Sequence, residues 1–223
     1  MGKADVSRIT SCLAAFHKAA RKIEEPNIYV TPPLTEVFAK QISLLKNNAK
    51  QLNRHTRLSD FDVLVLKNIE KYISLAEEAQ QLLLKTAYLD LYKNAIENTH
   101  LCHSALKEET FILTDTTCYI TRLENATINL QLTDLASILR RYARKSKRET
   151  PLSTLLCAYT SICPLPTDGK KILYAMLLFP WSFIRNVTQY YSKKRIFVPA
   201  ATTTRMAEIL TEQNVFDSFL SSI

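Results

Sequence analysis

Glycine is almost absent from this sequence, since Gly2 and Gly169 are the only glycines among 223 residues. Loops that hold phosphate groups need glycine where φ is positive or where backbone must approach a ligand closely. The chain has almost no glycine to supply for such loops. We therefore interpret the composition as an argument against Rossmann, P-loop and kinase nucleotide sites, and against the nucleophile elbow of hydrolases.

Proline is also missing from a long stretch, because residues 34–150 contain neither proline nor glycine. Both residues interrupt helical backbone, so a stretch without them favours helix. We predict an all-α protein, mainly a helical bundle. The expected exception is a small β-hairpin or irregular segment around residues 111–132.

Positive charge is distributed unevenly along the chain, whose formal net charge is +8. Residues 1–110 hold 15 basic and 13 acidic side chains, whereas residues 111–223 hold 14 and 8. We predict a single helical domain over residues 1–223. The alternative is a division into an N-terminal helical part, 1–110, and a C-terminal basic helical part, 111–223, where a polyanionic partner would bind.

An apolar signal core, a disulfide framework and a membrane span are all missing. Residues 1–5 carry no apolar core. The five cysteines are scattered and odd in number, which is atypical of a disulfide scaffold. The apolar, uncharged run at 172–184 is shorter than the about 20 residues that a membrane-spanning helix needs. We expect an intracellular protein without a transmembrane segment, located in the nucleus rather than the cytoplasm.

The strongest helical pattern follows a capping signature at residues 59–62, where serine and aspartates precede an apolar stripe. The stripe covers residues 65–83 and continues on a shifted track to Cys102. An unbroken helix over residues 60–106 would be about 70 Å long, which exceeds a compact domain of this size. We therefore predict a break near residues 98–99, or a projecting helix that dimerises.

Residues 111–132 have a different composition, with threonines among isoleucine and tyrosine. Such residues lower helix propensity and favour strands. One interpretation is a hairpin that turns at Glu124 and Asn125, although a tight two-residue turn usually needs glycine. The other interpretation is a broken helix.

The first helix, predicted near residues 7–24, carries a narrow apolar stripe. The residues of this candidate protein interface are Val6, Ile9, Leu13, Phe16 and Ile23. Such a stripe fits packing along another helix. We favour packing within the chain over packing on a partner.

Two basic stretches are candidates for nucleic-acid binding. The block at 140–148 has six basic residues in nine and follows a helix that Thr133 and Asp134 are predicted to cap, and a second stretch follows Tyr190 and Tyr191. Contacts with phosphates would release counterions. The block would alternatively serve as a nuclear import signal or form only a solvated face. The candidate residues are Arg140, Arg141, Arg144, Lys145, Lys147, Arg148, Lys193, Lys194 and Arg195.

Catalytic and metal-binding patterns are not recognisable in the sequence. None of the four histidines has a neighbouring serine or cysteine in a nucleophile setting. His100, Cys102, His103 and Cys118 are the one grouping that suggests a metal, but a second paired element for a closed zinc site is missing. We predict no catalytic residue, no metal and no cofactor.

These patterns together favour a non-enzymatic helical adaptor or structural subunit of a multiprotein assembly. Such a protein would bind protein partners, or a second copy of itself, through amphipathic helix faces. The alternative is a helical protein that binds DNA or RNA, associated with chromatin or a viral genome, through residues 140–148.

Overall fold

The computed structural model describes residues 3–24, 27–54, 56–145, 152–192 and 201–210. Its helices are α1 (Lys3–Ala19), α2 (Leu34–Leu52), α3 (Asp60–Leu84), α4 (Tyr88–Glu97), α5 (Leu132–Lys145), α6 (Leu152–Thr160), α7 (Gly169–Leu178) and α8 (Trp181–Ser192). Residues 201–210 form a further helical segment. Its strands are β1 (Leu101–Cys102), β2 (Phe111–Leu113), β3 (Cys118–Ile120) and β4 (Thr127–Ile128). None of the helices in these ranges is long and apolar enough to cross a membrane.

Helix α3 lies at the centre of the larger helical group, where it packs on both α2 and α7. Aromatic stacking fixes this arrangement. The rings of Tyr72 and Phe183 stack with their centroids 3.8 Å apart, and Phe38 and Phe179 stack at the same distance. Because stacked aromatic rings add about 0.5–1.5 kcal/mol beyond the area they bury, these pairs hold α2, α3 and α8 in register.

The predicted start of α3 is confirmed as a capping box. The Ser59 hydroxyl accepts the Asp62 backbone N–H at 3.2 Å, and the Asp62 carboxylate accepts the Ser59 N–H at 2.9 Å. The predicted apolar stripe is buried along the whole helix. It consists of Val65, Ile69, Tyr72, Ala76, Ala79 and Leu83.

The continuous helix over residues 60–106 does not form. The predicted break near residues 98–99 is present, because α4 ends at Glu97 and Thr99 has a φ of 43°. An earlier break between α3 and α4 was not predicted. There the Ala87 N–H donates to the Asp168 carboxylate at 3.3 Å, so a residue far along the chain stabilises the interruption.

The segment 111–132, the expected exception to the helical prediction, contains strands and is not a broken helix. Strand β1 pairs antiparallel with β4, and β2 pairs antiparallel with β3. The β2–β3 hairpin turns at residues 114–117, whereas Glu124 and Asn125 lie in a short 3-10 turn. The turn forms without glycine. The Thr114 hydroxyl accepts the Thr117 N–H at 3.0 Å and so stabilises the turn.

Helix α1 packs on α6 and on β3. Val6, Ile9 and Leu13 of the predicted interface stripe are buried within the chain, and Phe16 packs against the same core. Ile23 is half-buried beyond the end of α1. Most of the stripe thus packs inside the chain, as we favoured, while the contact of any of these residues with a partner stays a prediction.

Candidate functional site

A buried carboxylate organises the loop that follows β1. Asp134 is only 2% exposed. Its two oxygens accept the backbone N–H groups of His103, at 2.6 Å, and of Ser104, at 2.9 Å. These bonds satisfy the donors of a loop that leaves the protein core, and a charged acceptor makes them stronger than neutral hydrogen bonds. Asp134 therefore fixes the path of the backbone directly after β1.

The backbone is strained at the same place. Ser104 has a φ of 63°, in the left-handed region that favours glycine. Its hydroxyl lies 2.6 Å from the Thr127 hydroxyl of β4, in addition to the bond from its N–H to Asp134. Strained residues persist where surrounding contacts over-determine them, and they cluster at functional sites. The loop at residues 103–110 is therefore the first candidate for a functional site.

A buried histidine extends the network to α1 and α6. His17 is fully buried, with Nε2 3.3 Å from the Asp134 carboxylate and Nδ1 2.7 Å from the Tyr159 hydroxyl. Burial raises the pKa of the Tyr159 hydroxyl, which therefore keeps its proton. We assign the Tyr159 O–H as the donor to Nδ1 and the His17 Nε2–H as the donor to Asp134. Three segments distant in sequence thus share one polar network.

Thr110 holds the far end of the loop, and Thr121, directly after β3, holds the side chain at its start. The Thr110 hydroxyl donates to the Lys107 carbonyl at 2.6 Å and accepts the Lys107 N–H at 3.2 Å. One ring nitrogen of His103, Nε2, lies 2.8 Å from the Thr121 carbonyl oxygen. Both ends of the loop are therefore anchored, while Lys107 and the two glutamates after it remain exposed.

The exposed part of the loop carries both signs of charge, since Lys107 is followed by Glu108 and Glu109 and lies 3.9 Å from the Glu109 carboxylate. A hydrogen bond from its own backbone N–H lowers the pKa of Glu109, and the charges of Lys107, Arg122 and Arg141 lower it further. These three cations belong to the loop, to the segment after β3 and to α5. These interactions favour the ionised form of Glu109.

The segment after β4 carries two buried amides, Asn129 and Gln131. The Asn129 side-chain oxygen accepts the N–H of Leu130 at 2.7 Å, and Gln131 donates to the His17 carbonyl at 2.8 Å. Gln131 also donates to the Leu101 carbonyl at 3.2 Å. The Gln131 amide thereby connects the end of α1 with β1.

Comparison with known proteins decides the family. The family model described as Spore coat putative kinase YutH matches residues 2–223. The chain belongs to this family. No curated protein sequence matches the chain.

Solved structures show the fold of this YutH family member. The crystal structure of an aminoglycoside phosphotransferase from Alicyclobacillus acidocaldarius is 18% identical, with a TM-score of 0.84 over 97% of this chain and 64% of that chain. The chain thus spans just under two thirds of that phosphotransferase's length. A choline kinase from Cryptosporidium parvum is 16% identical over 97% of this chain and 67% of that chain, with a TM-score of 0.47. The first similarity shows that the chain has a protein kinase-like fold.

These findings correct the predicted fold and function. The fold is kinase-like and not an all-α helical bundle. Membership of a kinase family contradicts the prediction of a non-enzymatic adaptor and its alternative, a nucleic-acid-binding protein. It also contradicts the prediction that the protein is not an enzyme. Spore coats belong to bacteria, which have no nucleus, so the predicted nuclear location is also wrong. The glycine argument failed because it addressed only nucleotide loops.

The site loop shares its first residue, His103, with the kinase catalytic-loop pattern and lacks the other functional side chains of that pattern. Kinase loops read H-R-D-x-x-x-x-N, where aspartate accepts the substrate proton and asparagine binds metal. With His103 aligned to the histidine, Ala105 takes the place of the aspartate and Thr110 that of the asparagine. Kinases carry a metal-binding aspartate further along the chain, whereas the residue directly after β4 here is the buried Asn129.

The residues at these three places do not fit a Mg²⁺ ion. Mg²⁺ is usually bound through one or two carboxylates. Ala105 has no ligand atom, the Thr110 hydroxyl is bonded to Lys107, and the Asn129 oxygen accepts an N–H. Across the described part of the chain, no three His, Cys, Asp or Glu residues lie together in a group that would hold a metal ion.

Sequence reasoning missed this site because each diagnostic residue is replaced. His103 was considered only as a metal ligand, and Asp134 was interpreted as a helix cap, whereas it binds the loop backbone. The available signal was the spacing of His103 and Thr110 directly after a short apolar strand. Without the aspartate at position 105, that spacing is not specific.

The predicted basic residues have different placements. The Arg140 guanidinium donates to the Met176 carbonyl, and Arg141 is half-buried beside it in α5. The side chains of Arg144 and Lys145, and residues Lys147, Arg148, Lys193, Lys194 and Arg195, lie outside the described residues. That these residues bind a ligand stays a prediction.

Proposed function

We propose that this protein acts in the spore coat as a phosphotransferase of the kinase family. The match of the family over residues 2–223 supports this proposal most strongly. The kinase-like fold supports it too. The loop at 103–110 begins with a histidine, as the kinase catalytic-loop pattern does, and is anchored at both ends.

Phosphoryl transfer depends mainly on positioning and on neutralisation of charge. A general base contributes about 10²–10⁴-fold to a rate, so its replacement by Ala105 lowers the rate without removing these other contributions. Lys107 and Arg122 are cations near the loop that would stabilise a phosphoryl group. The protein is therefore expected to be a slow phosphotransferase.

The test measures transfer of labelled phosphate from ATP to an aminoglycoside acceptor by the purified protein. We expect slow transfer by the unmodified chain and a rate increase of roughly 10²-fold in Ala105→Asp, because the variant restores a carboxylate base. Ala105→Asn has the shape of aspartate without its basic oxygen and measures the contribution of shape alone. Absence of transfer by both the unmodified chain and Ala105→Asp would overturn the proposal.

A further inference from the structure

A cavity of about 560 Å³ lies between α5, α7, α8 and the helical segment at 201–210. This volume is within the range of about 300–1,000 Å³ that holds small-molecule ligands. Four arginines line it, and within the described residues no aspartate or glutamate does. They are Arg140, Arg141, Arg185 and Arg205. The cavity is therefore strongly cationic.

Two of these arginines are held by the protein itself. The Arg140 guanidinium donates to the Met176 carbonyl, and Arg205 forms an ion pair with Glu208 at 2.7 Å. Arg141 and Arg185 take part in no ion pair within the described ranges. These two guanidinium groups are the ones left to bind a ligand.

Two buried donor atoms at the cavity have no acceptor in the described part of the chain. They are Nε of Arg141 and the side-chain nitrogen of Asn186. A buried donor without a partner costs about 1–3 kcal/mol, so native proteins rarely leave one unsatisfied. A ligand with several acceptor oxygens would satisfy both donors at once.

The residues that line the cavity suit a ligand that has both a phosphate group and a carbon skeleton. Planar guanidinium groups bind phosphate with two parallel hydrogen bonds, which suits Arg141 and Arg185. The same cavity has an apolar wall formed by Leu34, Trp181 and Ile209. A single inorganic anion would leave that wall and most of the volume unused.

We propose that this cavity binds a phosphorylated small molecule, with Arg141, Arg185 and Asn186 holding the phosphate. The site goes beyond the proposed phosphotransferase activity, because binding here needs neither nucleotide nor turnover. The cavity also reaches Thr133, whose neighbour Asp134 anchors the site loop. An occupant would therefore lie close to the network that fixes the loop.

The test is isothermal titration calorimetry of the full chain with glucose 6-phosphate, inorganic phosphate and glucose. We expect saturable one-to-one binding of glucose 6-phosphate, weaker binding of inorganic phosphate and none of glucose. Arg141→Gln and Arg185→Gln should each weaken binding about tenfold, since a charge-assisted hydrogen bond contributes about 1.5–3 kcal/mol and 1.4 kcal/mol is tenfold. Raising the salt concentration should weaken binding further.

The matched control is Arg57→Gln, which removes an exposed arginine outside the cavity. The proposal is overturned if the unmodified chain shows no saturable binding, or if Arg57→Gln weakens binding as much as the cavity variants do. Tighter binding of inorganic phosphate than of glucose 6-phosphate also contradicts it. Arg185 is exposed, so its replacement leaves the fold intact, and circular dichroism checks this. Because no ATP is present, failure here is distinct from failure of phosphoryl transfer.

Discussion

One carboxylate joins three segments of the chain that are far apart in sequence. Asp134 of α5 contacts His17 of α1 and the backbone at residues 103 and 104. In a low-dielectric interior each of these contacts is strong when satisfied and costly when broken. The site loop therefore depends on Asp134 for its shape, although this residue has no place in the loop itself.

Replacement of Asp134 by alanine should destabilise the protein by roughly 2–5 kcal/mol, because the buried N–H of His103, the part-buried N–H of Ser104 and the buried His17 ring lose their acceptor. Asp134→Asn keeps one acceptor oxygen and should lose less. Urea denaturation followed by circular dichroism measures both changes in the free energy of unfolding. A loss below about 1 kcal/mol in Asp134→Ala, the level of an average substitution, would show that the network is not required for stability.

Helix α3 shows how far local sequence determines an element. Its capping box and its buried stripe follow from neighbouring residues and were predicted correctly. Its end did not follow from them, because the same apolar spacing continues beyond Leu84. The Tyr88 hydroxyl accepts the Leu34 N–H at 2.6 Å, and Asp168 accepts the Ala87 N–H, so contacts across the fold decide where α4 begins.

The capping box gives a quantitative prediction for α3. Ser59→Ala removes the hydroxyl that accepts the Asp62 N–H and should lower the free energy of unfolding by about 1 kcal/mol. Ser43→Ala is the matched control, because Ser43 is exposed within α2 and alanine is the better helix former there. Urea denaturation of the three proteins tests this. Equal stability of Ser59→Ala and the unmodified chain would contradict the role of the cap.

The whole molecule was predicted less well than its helices. Apolar periodicity indicated most helices, but it carries no information on which helices meet, and the strand pairs β1–β4 and β2–β3 are too short to produce a clear alternating pattern. The candidate site was missed for a related reason. It is assembled from residues that lie up to 142 positions apart, as His17 and Tyr159 do, and its loop lacks the charged side chains that would identify it.

The buried residues of the described chain form one continuous core, which predicts a single cooperative unfolding transition. Trp181, the only tryptophan, contacts Phe38 of α2 and Phe179 and so reports on the side of the core away from α1. Leu13→Ala in α1 should destabilise the protein by about 2–5 kcal/mol, because Leu13 is fully buried. If the core is one unit, Trp181 fluorescence and circular dichroism will give the same urea midpoint in both proteins, shifted equally by the substitution. A fluorescence midpoint that stays unchanged while the circular dichroism midpoint falls would show that α1 and its neighbours unfold separately from α2, α3 and α8.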